Sequence, residues 1–291
     1  MVDTNISDIV LERQYEIVIT NPDGELITIA SPFTAKISVK RSTLADANRA
    51  KVVIHNLGST TRGKVFKDQY TFNEQWIIGI KAGYEEKKLI FFGYVQQAYS
   101  YKEGTEWMTS IEAFDGLYPT QNSHIAKTFP KGSSFRDIII QAVSGMIGGI
   151  KTGNLSGVND KKTKRGVVGL GKAVELIHVL TGGTYFIDQN ILHAINDDDY
   201  LGEEVLDLGS GLLLGTPRRR DIMLICKTIF FPEATVASAV RLTSKHQEYS
   251  GLYKIMSIQH EIEISGSSSG TGITTLGLNA GAKALRKAVD G

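Results

Sequence analysis

Over most of the first 116 residues, hydrophobic and polar positions alternate with a period of two, the signature of strands with one buried face. QYEIVIT and ELITIA flank Asn21-Pro22-Asp23-Gly24, where Pro presets one dihedral and Gly accepts a positive φ, so the pair predicts a β-hairpin. Phe33, Ala35, Ile37 and Val39 then alternate with Thr34, Lys36, Ser38 and Lys40. KVVIHNL reads as a further strand, and Ser59-Thr60-Thr61 as the cap of a short helix that turns Val65 and Phe66 toward the core. Trp76, Ile78, Ile80 and Ala82 resume the alternation and lead into IKAGYEEKKLIFFGYV, a hairpin in which Glu85, Glu86, Lys87 and Lys88 separate two apolar runs and Gly83 permits the turn. With EWMTSIEAFDG, this region holds roughly seven strands and one short helix, the spacing of a small antiparallel barrel or sandwich.

The period changes after Tyr118-Pro119. Ser133 or Ser134 caps a predicted helix in which Phe135, Ile138, Ile139, Ala142 and Met146 make one apolar stripe. KTGNLSGVNDKKTKRG reads as an exposed loop, and a second helix with Val174, Ile177, Val179 and Leu180 stops at Gly182-Gly183. TYFI and ILHAI around Asp188-Gln189-Asn190 predict a compact hairpin. Strand patterns return in DIMLICKTIFF, broken at Pro232, in SAVRLTS, and in YKIMSIQHEIEI. In the last, Met256, Ile258, His260, Ile262 and Ile264 share an apolar face, and Ser257, Gln259, Glu261 and Glu263 a polar, acidic one. SGSSSGTG turns the chain into ITTLGLNA, and the closing AKALRKAVDG reads as a short helix or a fraying end. The expected class is α+β and β-dominated, with two barrel-like domains over 1–118 and 201–291, the second completed where necessary by strands from elsewhere in the chain. A small α+β unit over 119–200 is inserted between them.

Composition narrows the function. The chain has 291 residues, 42% hydrophobic and 22% charged, and 30 glycines against six prolines, which fits a turn-rich globular protein. A net charge of +1 gives no strong field to gather nucleic acid or an anionic membrane, so any polar partner must be recognised locally. Cys226, the single cysteine, lies in the apolar run IMLIC and reads as a small core residue. The first residues lack the basic start and apolar block of a secretory signal, and no stretch of ~18 apolar residues follows, so a soluble, unexported chain is expected.

Enzyme chemistry finds little support. VVGLGKA resembles the start of a phosphate loop but lacks the Walker spacing. Asp197-Asp198-Asp199 lacks the calcium-loop alternation and reads as a solvated turn. The six histidines show no metal spacing, and His260, on an apolar strand face, reads as a hydrogen-bonded core residue. Nothing brings two of Glu103, Glu106 and Glu112 to a glycosidase separation, and Arg218-Arg219-Arg220 reads as a charged turn after Thr216-Pro217. No catalytic, cofactor or metal site is expected.

Three phrases occur in order in the first part, AKVVIHNLGSTTRGKVF, IGIKAGYEEKKLIFFGYVQQA and SIEAFDGL. Three more follow later, SGLLLGTPRRRDIMLICKTIFFPEA, VRLTSKHQEYSGLYKIMSIQHEIEISG and GITTLGLNA. Together the chain resembles the baseplate hub proteins of contractile-tailed bacteriophages, the late control protein D or tail hub family, which is related to the hub portion of contractile injection system spikes. The resemblance implies two tube domains per subunit and a homotrimer whose pseudo-sixfold ring joins a sixfold tail tube to a threefold central spike. It further implies a virion tail baseplate location with assembly in the host cytoplasm, a tail tube protein, a central spike protein and other baseplate proteins as partners, DNA only as passing cargo, and no membrane insertion. Within that frame Tyr84, Glu85, Glu86, Lys87 and Lys88 are the candidate assembly contacts, and Ser257, Gln259, Glu261 and Glu263 the candidate channel face. Two alternatives stand beside it. One is a carbohydrate-binding or peptidoglycan-degrading tail component with Tyr99, Tyr101 and Trp107 as a sugar platform, and the other is a sixfold tube or outer-baseplate subunit.

Overall fold

The computed structural model describes residues 12–44, 47–71, 74–265 and 269–279, so the predicted C-terminal helix and the middle of SGSSSGTG lie outside the described residues. The strands are β1 (Gln14–Thr20), β2 (Leu26–Ala30), β3 (Ala35–Ser42), β4 (Arg49–His55), β5 (Ile77–Gly83), β6 (Lys87–Glu103), β7 (Glu106–Phe114), β8 (His124–Phe129) and β9 (Lys151–Thr152). They continue as β10 (Val167–Lys172), β11 (Phe186–Asp188), β12 (Ile191–His193), β13 (Leu201–Leu208), β14 (Arg218–Arg220), β15 (Met223–Ile229), β16 (Ser238–Leu242), β17 (Gly251–Ile264) and β18 (Ser269–Asn279). The helices are α1 (Ser59–Val65), α2 (Leu117–Asn122), α3 (Phe135–Ser144) and α4 (Ala173–Thr181). The fold is α+β and β-dominated, as the alternation predicts.

One sheet runs β14-β15-β18-β17-β3-β4-β7-β6-β5-β1-β2, with β13 and β16 branching from β17. Ile27 and Ile29 at one end and Ile37 and Val39 of β3 enter the same apolar core, together with Val52, Ile78, Ile80 and Ile111 between them. The seven strands β1 to β7 therefore curl around a common interior as a barrel-like wall. A second core gathers Ile138, Ile139, Ile177, Leu180 and Leu192 of the middle segment, and a third gathers Cys226, Val240, Ile255, Ile258, Leu276 and Leu278.

Several local expectations change. Phe33 precedes β3 and is exposed, and Phe66, past the end of α1, turns outward while Val65 is buried. The N-cap of α1 is Gly58 and no side chain caps it. Val179 is exposed because the stripe of α4 closes on Ile177 and Leu180. The supposed exposed loop from 151 to 166 buries Leu155 and Val158 in the second core. VVGLGKA is β10, paired with β8, running straight into α4, and leaves no loop to cradle a phosphate. The triple arginine is the edge strand β14 rather than a turn, a strand without apolar alternation because all three side chains are exposed.

β17 joins the early and late β-rich parts of the chain. Residues 251 to 254 pair with β16, Ser257 to Ile264 pair with β3, and β18 lies along the opposite edge. The switch falls at a bulge where Ile255 faces Leu278 and Ser257 faces Gly277, leaving Met256 unpaired with β18. Met256 is thus half-buried rather than fully inward, and its carbonyl accepts from the Thr43 N–H (2.9 Å). Beyond the bulge Ile258, His260, Ile262 and Ile264 are buried as predicted. His260 Nδ1 lies 2.9 Å from Thr274 Oγ1, the ring stands edge-on to Phe230, and burial pushes its pKa down to about 3.

The middle segment is tied to this wall by a buried polar knot. Gln189 and Asn190, both at positive φ, make the two-residue turn between β11 and β12. Just before it, Asp188 accepts a forked pair from Arg41 of β3, Nε to Oδ1 at 2.8 Å and Nη2 to Oδ2 at 2.5 Å. Arg41 Nη1 reaches the Ile90 carbonyl (3.3 Å), where a bulge in β6 opens the ladder opposite Ile80 and Lys81. Asn48 Nδ2 donates to the Ile187 carbonyl (2.9 Å), Tyr94 donates to the Gly148 carbonyl (2.6 Å), and Asp115 Oδ1 accepts from the Asn190 N–H (2.9 Å). Burial, then the Asp188 carboxylate, push Asp115 up to about 7.

Two outcomes follow for stability. Arg41→Ala removes the cation from Asp188 and leaves it only the Asn48 Nδ2 donor (3.1 Å), and should cost roughly 3–5 kcal/mol in urea unfolding, most of it recovered when Asp188→Leu is added to Arg41→Met. Asp115 binds a proton in the fold that the unfolded chain, titrating near 3.8, has lost, so its contribution is full below that value and disappears as pH rises through about 7. Asp115→Asn should therefore gain on the parent by up to ~1.4 kcal/mol per pH unit between pH 5 and 7, read from paired melts; parallel profiles would contradict the assignment.

Candidate functional site

The charged hairpin closes between β5 and β6. Gly83 is held by space rather than by dihedral sign, since a Cβ there would overlap the Glu86 carbonyl oxygen. The five predicted contact residues divide into two groups. Tyr84 donates to the Phe230 carbonyl (3.0 Å) with its ring 5.9 Å from that of Phe230, so it fastens the hairpin to the segment after β15. Lys87 donates to Glu16 (2.9 Å), which Lys81 also approaches (3.4 Å), and the two lysines hold the Glu16 carboxyl below its usual range. Glu85 and Glu86 are exposed, and Lys88 pairs with Glu86 (2.6 Å). The outward chemistry of the hairpin is therefore that of Glu85, Glu86 and Lys88.

The polar face of β17 continues across the sheet. Cross-strand register aligns Glu263 with Lys36, Val53, Ser110 and Tyr99 on successive strands. Glu261 aligns with Ser38, Lys51, Glu112 and Gln97, and Gln259 with Lys40, Arg49 and Phe114. Ser38 donates to Glu261 (3.0 Å), as does Gln259 (2.8 Å), Lys36 pairs with Glu263 (3.5 Å), and Gln97 donates to Glu112 (2.8 Å). Ser257, beside the bulge, faces Ser42 and Gly277, and its hydroxyl takes the space a side chain at Gly277 would need. The face that looks acidic along one strand is close to charge-balanced across four, because the four cations Lys36, Lys40, Arg49 and Lys51 stand against the three anions Glu112, Glu261 and Glu263. Long-range register produces this balance, and no single segment displays it.

Other sequence candidates resolve simply. Trp107 pairs with Lys102 and Tyr101 with Met108, so Trp107 points to the opposite side of the β6–β7 hairpin from Tyr99 and Tyr101, and the three form no common platform. Arg62 lies over the Trp107 ring at 4.0 Å. Glu106 binds His55 (2.9 Å), away from Glu112 with its Gln97 partner. Asp197 does more than make a solvated turn, since its carbonyl and that of Asn196 accept from buried Lys254 (3.2 Å each). Among the described residues no three His, Cys, Asp or Glu side chains gather to hold a metal ion, and no helix is long and apolar enough to cross a membrane. A cleft of about 350 Å³ opens beside Asp115, between Leu117, Lys172 and Tyr185. The Arg41–Asp188 knot escapes sequence reading, because 147 residues separate the partners and neither belongs to a local motif.

With this geometry in view, the family model of baseplate hub gp41 matches residues 15–267. The chain belongs to the baseplate hub gp41 family. Solved structures share its fold. The 43 kDa tail protein of prophage MuSo2 from Shewanella oneidensis is 12% identical with a TM-score of 0.60, covering 93% of this chain and 99% of its own. A tail protein from Neisseria meningitidis MC58 is 9% identical with a TM-score of 0.61 over the same shares. The E. coli c3393 protein, described as a component of the type VI secretion system, is 8% identical with a TM-score of 0.55, covering 87% of this chain and 75% of that one. A comparison with curated protein sequences finds no match. Phage tail and injection-system proteins thus share the β-dominated frame of this hub-family chain.

Gly83→Ala tests the hairpin. It should cost roughly 1–3 kcal/mol in thermal unfolding, since the turn must open to admit the methyl group; unchanged stability would show that the close approach is not required.

Proposed function

We propose that this baseplate hub protein is a structural, non-enzymatic subunit that assembles as a homotrimer in the virion tail baseplate after synthesis in the host cytoplasm. Three copies make a pseudo-sixfold ring, which adapts a sixfold tail tube protein to a threefold central spike protein and leaves a channel through which DNA passes. The observation that carries the ring is the pairing of β3 with β17, which sets two β-rich units side by side in one sheet. Three such chains present six units, the number needed to match a sixfold partner. The units are assigned as 1–118 and 201–291, flanking the 119–200 insertion, with β17 spanning the joint.

Ser257, Gln259, Glu261 and Glu263 belong to the channel face on this account. A charge-balanced lining suits a passage, because a strongly basic one would hold DNA through counterion release. Glu85, Glu86 and Lys88 meet a neighbouring subunit or another baseplate protein, with Tyr84 and Lys87 fixing the hairpin that presents them. The sugar-platform alternative loses its support with the aromatics on opposite sides of their hairpin.

Lys87→Glu with Lys88→Glu should lower subunit stability by no more than ~1 kcal/mol, since both ion pairs are at least partly exposed, while reducing incorporation into tail particles. Quantifying the hub band in purified particles checks this, and undiminished incorporation would reduce the hairpin to a solvated turn. Sixfold rather than threefold averages of negatively stained particles at the spike junction would favour a tube subunit instead.

A further inference from the structure

The ribbon of β8 and β10 has one face against the protein and one face bare. Phe129 and Gly169 are buried, Ile125 and Val167 pack on the second core, and a Cβ at Gly169 would crowd Leu176 of α4. The cross-strand pairs His124 with Lys172, Ala126 with Leu170 and Thr128 with Val168 share the other face, and all six side chains are exposed. Val168 is 69% and Leu170 81% exposed, two aliphatic neighbours on one strand face rather than scattered single residues. Among the described residues each strand of the ribbon pairs only with the other, so both keep an open backbone edge. The two edges differ. β8 carries Lys127 in its middle, a charge of the kind that keeps strand edges from pairing. From Gly166 to Gly171 the β10 side carries no charge, and its cations stand at the ends, Lys164 and Arg165 before the strand and Lys172 at its last position.

We infer that β10 is a docking edge for a strand of a different protein, apolar in its middle and acidic at its ends. Such a strand would lay its apolar side chains beside Val168 and Leu170 and bring its carboxylates to Lys172 at one end and to Lys164 and Arg165 at the other. Among the described residues none of these three cations has an ion-pair partner. Residues 124–172 hold nine Lys or Arg against two Asp or Glu, in a chain whose net charge is only +1. A second copy of this chain would bring the same local positive excess, which favours an acidic foreign strand over self-pairing. The bare face carries no aromatic ring to stack on a nucleic-acid base or to anchor in a lipid interface, and neither of those partners would use an open backbone edge. The inference goes beyond the ring and the charged hairpin, neither of which uses this ribbon, and it stands if either of them fails.

The fluorescein-labelled peptide Glu-Thr-Val-Thr-Val-Thr-Glu, titrated with the full chain and followed by anisotropy, tests the edge. It should bind with a Kd below ~1 mM, more weakly as salt is raised, and deuterium exchange of the Val167–Lys172 amides should slow in the complex. Lys164→Glu, Arg165→Glu and Lys172→Glu together should weaken binding at least ~10-fold, and Leu170→Thr, which keeps strand propensity, at least ~3-fold. All four positions are exposed, and thermal melts check that the variants stay folded. No binding at ~1 mM, equal binding of Lys-Thr-Val-Thr-Val-Thr-Lys, or binding that survives the charge reversal would overturn the docking edge. Phosphatidylglycerol vesicles or a single-stranded oligonucleotide that bind the parent chain and not the charge-reversed one, while the acidic peptide binds neither, would also overturn it and assign the face to lipid or to nucleic acid.

Discussion

The pairing of β3 with β17 is the constraint on which the rest of the structure depends. It brings residues 35–42 against residues 257–264, and so encloses the whole intervening chain between two hydrogen-bonded neighbours. Because β17 also pairs with β16 before its bulge, one strand takes part in both β-rich regions, and the change of partner from β16 to β3 falls at that bulge. Ile262 and Ile264 enter the first core while Ile255 and Ile258 enter the third, so the same strand contributes apolar area on both sides of the joint.

That joint needs its third member held in register, which is the role of the buried polar knot. A short turn from the middle segment places Asp188 against Arg41, and the neighbouring Asn48 and Asp115 satisfy backbone groups of β11 and of the turn itself. Such a network adds little net stability over apolar packing, but it is directional, and directionality is what an insertion needs to sit in one orientation. On the opposite face, cations of β3 and β4 offset anions of β17 and β7, which leaves a broad polar wall with little net field.

Most of the strands around the first core were legible in the sequence, because one face of each is dry and the other wet; Trp76, Ile78, Ile80 and Ala82 are all buried as their spacing predicts. The alternation after Ser257 was legible for the same reason. Met256 was misplaced because a bulge shifts parity by one residue without any local mark. β8, β10 and β14 were missed because they are two-stranded or edge elements whose outward residues carry no core pattern, Val168 and Leu170 being apolar yet exposed. The candidate site was half legible. Its residues were visible, but the intrachain ties of Tyr84 and Lys87 and the balancing lysines on β3 and β4 depend on register between distant segments.

The central claim is that this hub-family chain forms a threefold ring whose polar sheet face lines a channel. A density map of the assembled particle at the junction of tube and spike tests it most directly. The account predicts three copies, with Glu261 and Glu263 facing the lumen beside Lys36 and Lys51. Six copies at that level, or the same side chains on the outer surface of the ring, would contradict it.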